Sequence, residues 1–246
     1  MPALSGRTAI VTGSTRGLGE AMARALHAHG AAVAITGRNA DRAADISAEL
    51  GDRAWAAHLD VSSRESFEAL VAKARDRWGR IDILVNNAGV TPTTPFFEID
   101  DPEWDEVLTT NLRSVFIGCQ LVAPVMCEAG WGRIINHASL AGQQGGVVAG
   151  PHYAASKAGI VVLTKILARQ LAGDGVTVNA IAPAAIDGPI MAEVPAEAIE
   201  RAKASIPVGR LGRPEEVGEL VAYLCGESAG YITGATFDIN GGLNMR

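Results

Sequence analysis

Tyr153 and Lys157 stand four residues apart in His152-Tyr153-Ala154-Ala155-Ser156-Lys157-Ala158-Gly159. On a helix that spacing sends both side chains from one face, about one turn apart. A free phenol titrates near 10 and is a poor acid-base group at neutral pH; bringing it to about 7 takes about 4 kcal/mol of preference for phenolate. An ammonium about 5 Å away, at an effective dielectric near 20, gives about 3 kcal/mol of that. A second cation, such as an oxidised nicotinamide ring, would supply the rest. The pair reads as a tyrosine tuned to pass a proton beside a hydride carrier. Solvated Tyr-Lys neighbours also arise by chance, so the elements around the pair must decide.

The first element is a short apolar run, Thr8-Ala9-Ile10-Val11, as expected of a strand buried on both faces. It leads into Thr12-Gly13-Ser14-Thr15-Arg16-Gly17-Leu18-Gly19 and a helical pattern ending near His29. Glycines there permit a tight turn, close approach of backbone N–H groups to a pyrophosphate, and close helix-strand packing. A second strand, Ala32 to Thr36, ends at Gly37-Arg38-Asn39. In dinucleotide folds an acid in that neighbourhood holds the adenosine ribose. Here there is none, and Arg38 could pair with a 2′-phosphate through its planar fork, with Arg16 reaching the same group. NADP(H) is favoured over NAD(H).

The alternation continues with a helix over about 41–50, a strand over 54–59 and then Asp60-Val61. Asp60 could accept from an adenine amino group or cap the helix that starts near Ser63. After a helix ending at Trp78-Gly79-Arg80, a fourth strand over 81–85 delivers Asn86-Asn87-Ala88-Gly89 at its carboxyl end, where a larger side chain would obstruct a flat ring or ribose. Residues 105–128 read as one long helix interrupted at Thr109-Thr110-Asn111, poor helix formers that mark a local kink with a freed carbonyl and an ordered water. A fifth strand, 133–138, delivers Ser139. The Tyr153 helix runs to about Ala172, and a sixth strand, 175–181, leads to Pro183-Ala184-Ala185-Ile186-Asp187-Gly188-Pro189.

An amphipathic stretch with Ile190, Met191, Val194, Ile199 and Ile206 suits a lid, over about 188–210. A helix over 214–226, a strand over 236–239 and Gly241-Gly242 complete the pattern. Unbroken strand-helix alternation predicts an α/β fold in one domain spanning 1–246, a doubly wound parallel sheet of Rossmann type. Val115, Phe116, Ile117, Leu121 and Val122, and then Ile160 to Leu163 with Ile166 and Leu167, spread apolar surface over more than one helix face. The surplus predicts a homo-oligomer, a tetramer or dimer.

The 246 residues are 48% hydrophobic, enough for a sizeable core. A net charge of −6 argues against nucleic acid or an anionic membrane as partner. Cys119, Cys127 and Cys225 are spaced for neither disulfides nor a metal site, so no metal is expected. With no signal-like leader and no apolar run of about 18 residues, a soluble cytoplasmic setting is expected.

Together the residues resemble the short-chain dehydrogenase/reductase family, in its branch of roughly 250-residue enzymes. The resemblance rests on Thr12-Gly13 with Gly17 and Gly19, Asn86-Asn87-Ala88-Gly89, Asn111, Ser139, Tyr153 with Lys157, Pro183, and Gly241-Gly242. It implies a seven-stranded parallel sheet binding a nicotinamide dinucleotide. Tyr153 would exchange a proton with a carbonyl or alcohol oxygen, and Ser139 would hold that oxygen. Lys157 would hold the nicotinamide ribose and lower the phenol, and Asn111 would position a water in a proton relay. The implied cofactor contacts are Gly13, Ser14, Thr15, Arg16, Gly17, Leu18, Gly19, Arg38, Asp60, Val61, Asn87, Ala88, Gly89, Tyr153, Lys157, Pro183, Ile186 and Gly188. The chain departs from the family with Ala184 where a glycine is usual. It has Gly188 where a threonine often contacts the carboxamide, leaving backbone groups of Ile186 and Gly188 for that task.

Relatives named 3-oxoacyl-carrier-protein reductases need a basic patch for an acidic carrier. The stretches 128–133 and 172–175, expected beside the entrance, hold few positive charges and two acids. The expected substrate is a free ketone or secondary alcohol, with His137, His152, Gln143 and Gln144 as candidate polar contacts. A carrier-bound 3-oxoacyl group and a catalytically silent dinucleotide sensor are the alternatives.

Overall fold

The computed structural model describes residues 3–146, 148–188 and 195–245. Seven parallel strands form one sheet in the order β3-β2-β1-β4-β5-β6-β7. They are β1 (Thr8–Val11), β2 (Ala32–Gly37), β3 (Ala54–His58), β4 (Ile83–Asn86), β5 (Gly132–His137), β6 (Val176–Pro183) and β7 (Thr236–Ile239). Both β1 and β6 are buried along their whole length, β1 as its continuous apolar run predicts, whereas the edge strands β3 and β7 are only partly covered.

Alternate residues of each strand feed two separate cores. Ile10, Leu84, Ile134 and Val178 point to one face, where they meet helices α3 (Arg64–Trp78), α5 (Ser114–Glu128) and α7 (Pro151–Leu171). Val11, Val85, Ile135 and Ile181 point to the other, against α1 (Gly17–Ala28), α2 (Ala40–Leu50) and α9 (Pro214–Cys225). The remaining helices are α4 (Asp101–Leu108), α6 (Ala141–Gln144) and α8 (Ala196–Ser205).

Local chemistry sets the boundaries. Asn39 and Ser63 accept from backbone N–H groups three residues on and so start α2 and α3. Asp60 is therefore not the cap: its carboxylate accepts from the Ser62 N–H and hydroxyl, an Asx turn before the helix. Gly79, at φ +71°, ends α3 in the left-handed region. The fourth strand begins at Ile83 rather than Ile81, because the Asp82 carboxylate is committed to Thr8. The long helix begins at Asp101 rather than Asp105, since Asp100 accepts from Glu103 N. Its interruption is a turn of π-helix over Thr109–Arg113, around the buried Asn111.

Within the described residues, no helix is long and apolar enough to cross a membrane. The cysteines are unpaired, and burial pushes the Cys119 and Cys225 thiols up to about 12, as inert core residues. Of the expected lid, α8 and Ile206 are described; Ile190, Met191 and Val194 lie outside the described residues.

Candidate active site

The carboxyl edge of the sheet gathers the predicted residues. Thr12, one residue beyond β1, accepts through its hydroxyl from the Asn87 and Ala88 N–H groups at 2.9 and 3.0 Å. Asn87 donates through its side-chain amide to the Thr12 and Gly13 carbonyls, at 2.9 and 3.1 Å. The glycine loop is thereby tied to the loop after β4. Ser14 faces inward, donating to Val11 and accepting from Thr36, and so braces the loop rather than facing a ligand.

Space in this loop is fixed by backbone contacts. A Cβ on Gly19 would stand 2.2 Å from the Gly13 carbonyl oxygen, and Gly13 and Gly17 have φ of +64° and +55°. Arg16 is the extended N-cap of α1, exposed, and puts no side-chain acceptor on the first turn. With Leu18 and Gly19 in that first turn, the N–H groups there are left to an anion. Thr15 packs beside Gly37, whose Cβ would stand 3.0 Å from it. Arg38 follows β2 and is exposed. Its charge helps hold Asp60 below the usual carboxylate range, after the larger effect of the Ser62 hydrogen bonds. Val61, buried, closes the floor next to Asp60.

Farther along the edge, Lys157 is 4% exposed and donates from Nζ to the His137 carbonyl at 2.6 Å. Burial pushes it down to about 7. Its ammonium lies 5.6 Å from the centre of the Tyr153 ring. Burial raises the Tyr153 phenol, and the Ser139 and Thr91 hydroxyls pull it down. The electrostatic expectation thus needs correction. Desolvation lowers the ammonium and leaves the phenol above its ordinary value, and the Ser139 and Thr91 hydroxyls, not Lys157, offset part of that rise. Ser139 itself sits just past β5 and accepts from Ala141 N at 3.1 Å.

Asn111 fixes the neighbouring loop. Its side chain accepts from Val90 N at 2.8 Å and donates to Val90 O at 2.9 Å, with Ser156 Oγ 3.2 Å away. A Cβ on Gly89 would come 2.9 Å from Asn111 Oδ1 and 3.8 Å from Lys157 Nζ, so glycine keeps this floor open. Pro183 accepts from Leu140 N, and Ala184 N donates to Ile239 O. Ile186 bridges to Gly212, and Gly188 faces open space.

Two polar candidates are committed to other partners. His152 is fully buried, bonded at 3.1 Å to Glu103 and stacked on Trp104. Gln143 bonds Asp238 and Asn244, and Gln144 is exposed. His137 sits behind Lys157, bonded through Nδ1 to Asn87 Oδ1; burial, with the Lys157 charge, pushes it down to about 3. Thr91 is exposed beside the phenol, and nothing in its type or spacing in the sequence marks it. The stretches 128–133 and 172–175 lie at the amino ends of β5 and β6, across the sheet from Ser139 and Pro183. They do not flank this chain's site, because parallel strands put both loops at the same far edge.

A family model described as Enoyl-(Acyl carrier protein) reductase matches residues 13–244. The chain belongs to the short-chain dehydrogenase/reductase family. It is 45% identical to Nodulation protein G of Azospirillum brasilense over 99% of this chain and 100% of that one. It is 40% identical to the 3-oxoacyl-(acyl-carrier-protein) reductase FabG of Haemophilus influenzae, over 98% of this chain and 100% of that one. A crystal structure from Agrobacterium tumefaciens, provisionally described as a gluconate dehydrogenase, superposes with a TM-score of 0.94. It is 33% identical and covers 98% of this chain and 96% of its own.

As a short-chain dehydrogenase/reductase the protein is an oxidoreductase that works with a nicotinamide dinucleotide. Its residues fit that group. The glycines at 13, 17 and 19 clear a phosphate-sized approach to α1, Gly89 keeps a ring or ribose clear of Asn111 and Lys157, and Gly188 leaves the far wall open.

Proposed function

We propose that this chain is an NADP(H)-preferring oxidoreductase that interconverts a small, free ketone and its secondary alcohol. The reading rests on one juxtaposition: the Tyr153 phenol flanked by the Ser139 hydroxyl, with the Lys157 ammonium at 5.6 Å from its ring. When bound, the nicotinamide supplies or accepts the hydride. Tyr153 Oη delivers the proton to the carbonyl oxygen in reduction, or takes it from the alcohol in oxidation. Ser139 Oγ holds the same oxygen as charge builds on it. Lys157 would hold the ribose hydroxyls; Asn111 anchors the floor through Val90 and would serve, through a water, the relay that returns protons to Lys157.

Support for the phosphate-bearing cofactor comes from the exposed Arg16 and Arg38 and from the missing carboxylate after β2. Gly13, Thr15, Gly17, Leu18 and Gly19 would form the pyrophosphate cradle, braced from behind by Ser14, with Asp60 and Val61 at the adenine. Asn87, Ala88, Gly89, Pro183, Ile186 and Gly188 would line the ribose and carboxamide. The 188–210 segment would act as a lid, with Ile199 and Gly188 lining a cavity of about 440 Å³.

A free substrate is favoured because the cations around that cavity are already paired. Lys203 bonds Glu200, while Arg210 and Arg213 share Glu216, leaving little charge for an acidic carrier. The second reading is a carrier-bound 3-oxoacyl substrate, favoured by relatives named for that activity at 40% identity. Following NADPH absorbance with one 3-oxoacyl group offered as a small free ester and on acyl-carrier protein separates the two. Turnover confined to the carrier form would overturn the free-substrate reading.

Oligomerisation through α5 and α7 fits the exposed Phe116, Val162 and Ile166, at 46%, 57% and 49%, and an apolar groove of about 270 Å³ lined by Phe116, Leu163 and Leu167. Sedimentation at micromolar concentration tests it, and a monomer would count against it.

A further inference from the structure

Ser139 is held by a helix too short to hold itself. Helix α6 has four residues, and one helical turn fixes many dihedrals for few hydrogen bonds. Its start is the serine: Ser139 Oγ accepts from Ala141 N, and the Ser139 carbonyl accepts from Gly142 N at 3.0 Å. One side is pressed onto α7, where a Cβ on Gly142 would stand 2.6 Å from the Lys157 carbonyl carbon and 2.7 Å from Ala158 N. What holds the other side is the C-terminal segment.

Gln143 Nε2 donates to Asp238 Oδ1 at 2.7 Å, while Gln143 Oε1 accepts from Asn244 Nδ2 at 2.9 Å. A primary amide can donate and accept at once, which neither a carboxylate nor an ammonium can do. The segment that presents Asn244 is itself coiled back on Asn240. Asn240 Nδ2 donates to Asn244 O at 3.1 Å, and Gly242 N donates to Asn240 Oδ1 at 2.9 Å. Gly241 and Gly242, at φ +63° and +91°, make that reversal possible.

We propose that Gln143 is a positioning residue, through which β7 and the C-terminal segment brace α6 and so hold the Ser139 hydroxyl at the Tyr153 phenol. The proposal rests on the function assigned above and extends it to residues outside the cleft. Gln143, expected from its sequence position to touch substrate, acts instead through Ser139. Because the Ser139 hydroxyl draws the phenol down, loosening the brace raises the pH at which Tyr153 ionises.

Two readouts on the full-length protein test this. One is the ultraviolet titration of Tyr153, taken as wild type minus Tyr153→Phe, which needs no substrate. The other is kcat for ethyl acetoacetate with NADPH, alongside NADPH affinity and thermal midpoint. Gln143→Glu, which faces Asp238 with a second carboxylate, and Asn244→Ala should each move the phenol titration upward. Each should also lower kcat about fivefold, the scale of one net hydrogen bond. NADPH affinity and the thermal midpoint should stay near wild type.

Adding Asp238→Asn to Gln143→Glu should restore both readouts, since the new carboxylate accepts from the amide now at 238 and from Asn244. A titration unmoved in both single variants overturns the brace. Full turnover by Tyr153→Phe overturns the assigned function instead, while the titration still reports on Ser139.

Discussion

Lys157 Nζ donates to the carbonyl oxygen of His137 at 2.6 Å, inside a site where burial brings the ammonium down to about 7. Lysine in the unfolded chain titrates near 10.4, so between about pH 7 and pH 10 the unfolded chain binds the extra proton. A depressed lysine therefore costs stability fully below pH 7, and the cost fades as pH rises through that window. Chemical denaturation at pH 7 and pH 9 should show Lys157→Met with a flatter pH response than wild type. The difference in slope should approach about 1.4 kcal/mol per pH unit. Identical slopes would place the lysine at an ordinary pKa.

Tyr153→Phe removes the proton donor while keeping the ring. Turnover should fall about 10²- to 10⁴-fold, the usual worth of a general acid. NADPH affinity, read by tryptophan fluorescence, should stay within a few-fold. Loss of affinity in step with turnover would instead give the phenol a role in binding.

The exposed Arg38 stands in Thr36-Gly37-Arg38-Asn39, which carries no acid at the end of β2. Arg38→Asp should weaken NADPH binding about 10- to 100-fold, the worth of a charge-assisted hydrogen bond, and spare or improve NADH. An unchanged preference would show that Arg38 does not touch the phosphate.

Gly19→Ala places a methyl 2.2 Å from the Gly13 carbonyl oxygen, a backbone atom that cannot step aside cheaply. The variant should lose about 1–3 kcal/mol of stability and most of its cofactor affinity. By contrast, a Cβ on Gly188 meets nothing within 4 Å, so Gly188→Ala should leave the thermal midpoint unchanged. Equal tolerance at both positions would contradict the packing described for the loop.

Some of this was written in the one-dimensional pattern. Buried parallel strands need continuous apolar runs, so Thr8–Val11 declared itself, and alternating helices then required a doubly wound sheet. The kink at Thr109–Arg113 was visible as three poor helix formers in a row. Tyr153, Lys157, Ser139 and Asn111 could be picked out because their types and their places at strand ends or on one helix face are local properties.

Pairings across the sheet were not legible, because contact between residues far apart in sequence leaves no periodic trace. The type of Gln143 was equally compatible with touching substrate or Asn244, one hundred and one residues away, and only the return of β7 beside β6 decided it. His152 had the same ambiguity until Trp104 and Glu103 closed over it. The phenol's surroundings were settled in the same way. Spacing fixed where Lys157 lies relative to Tyr153, but the degree of burial, a property of the packed whole, decides how much charge the lysine carries.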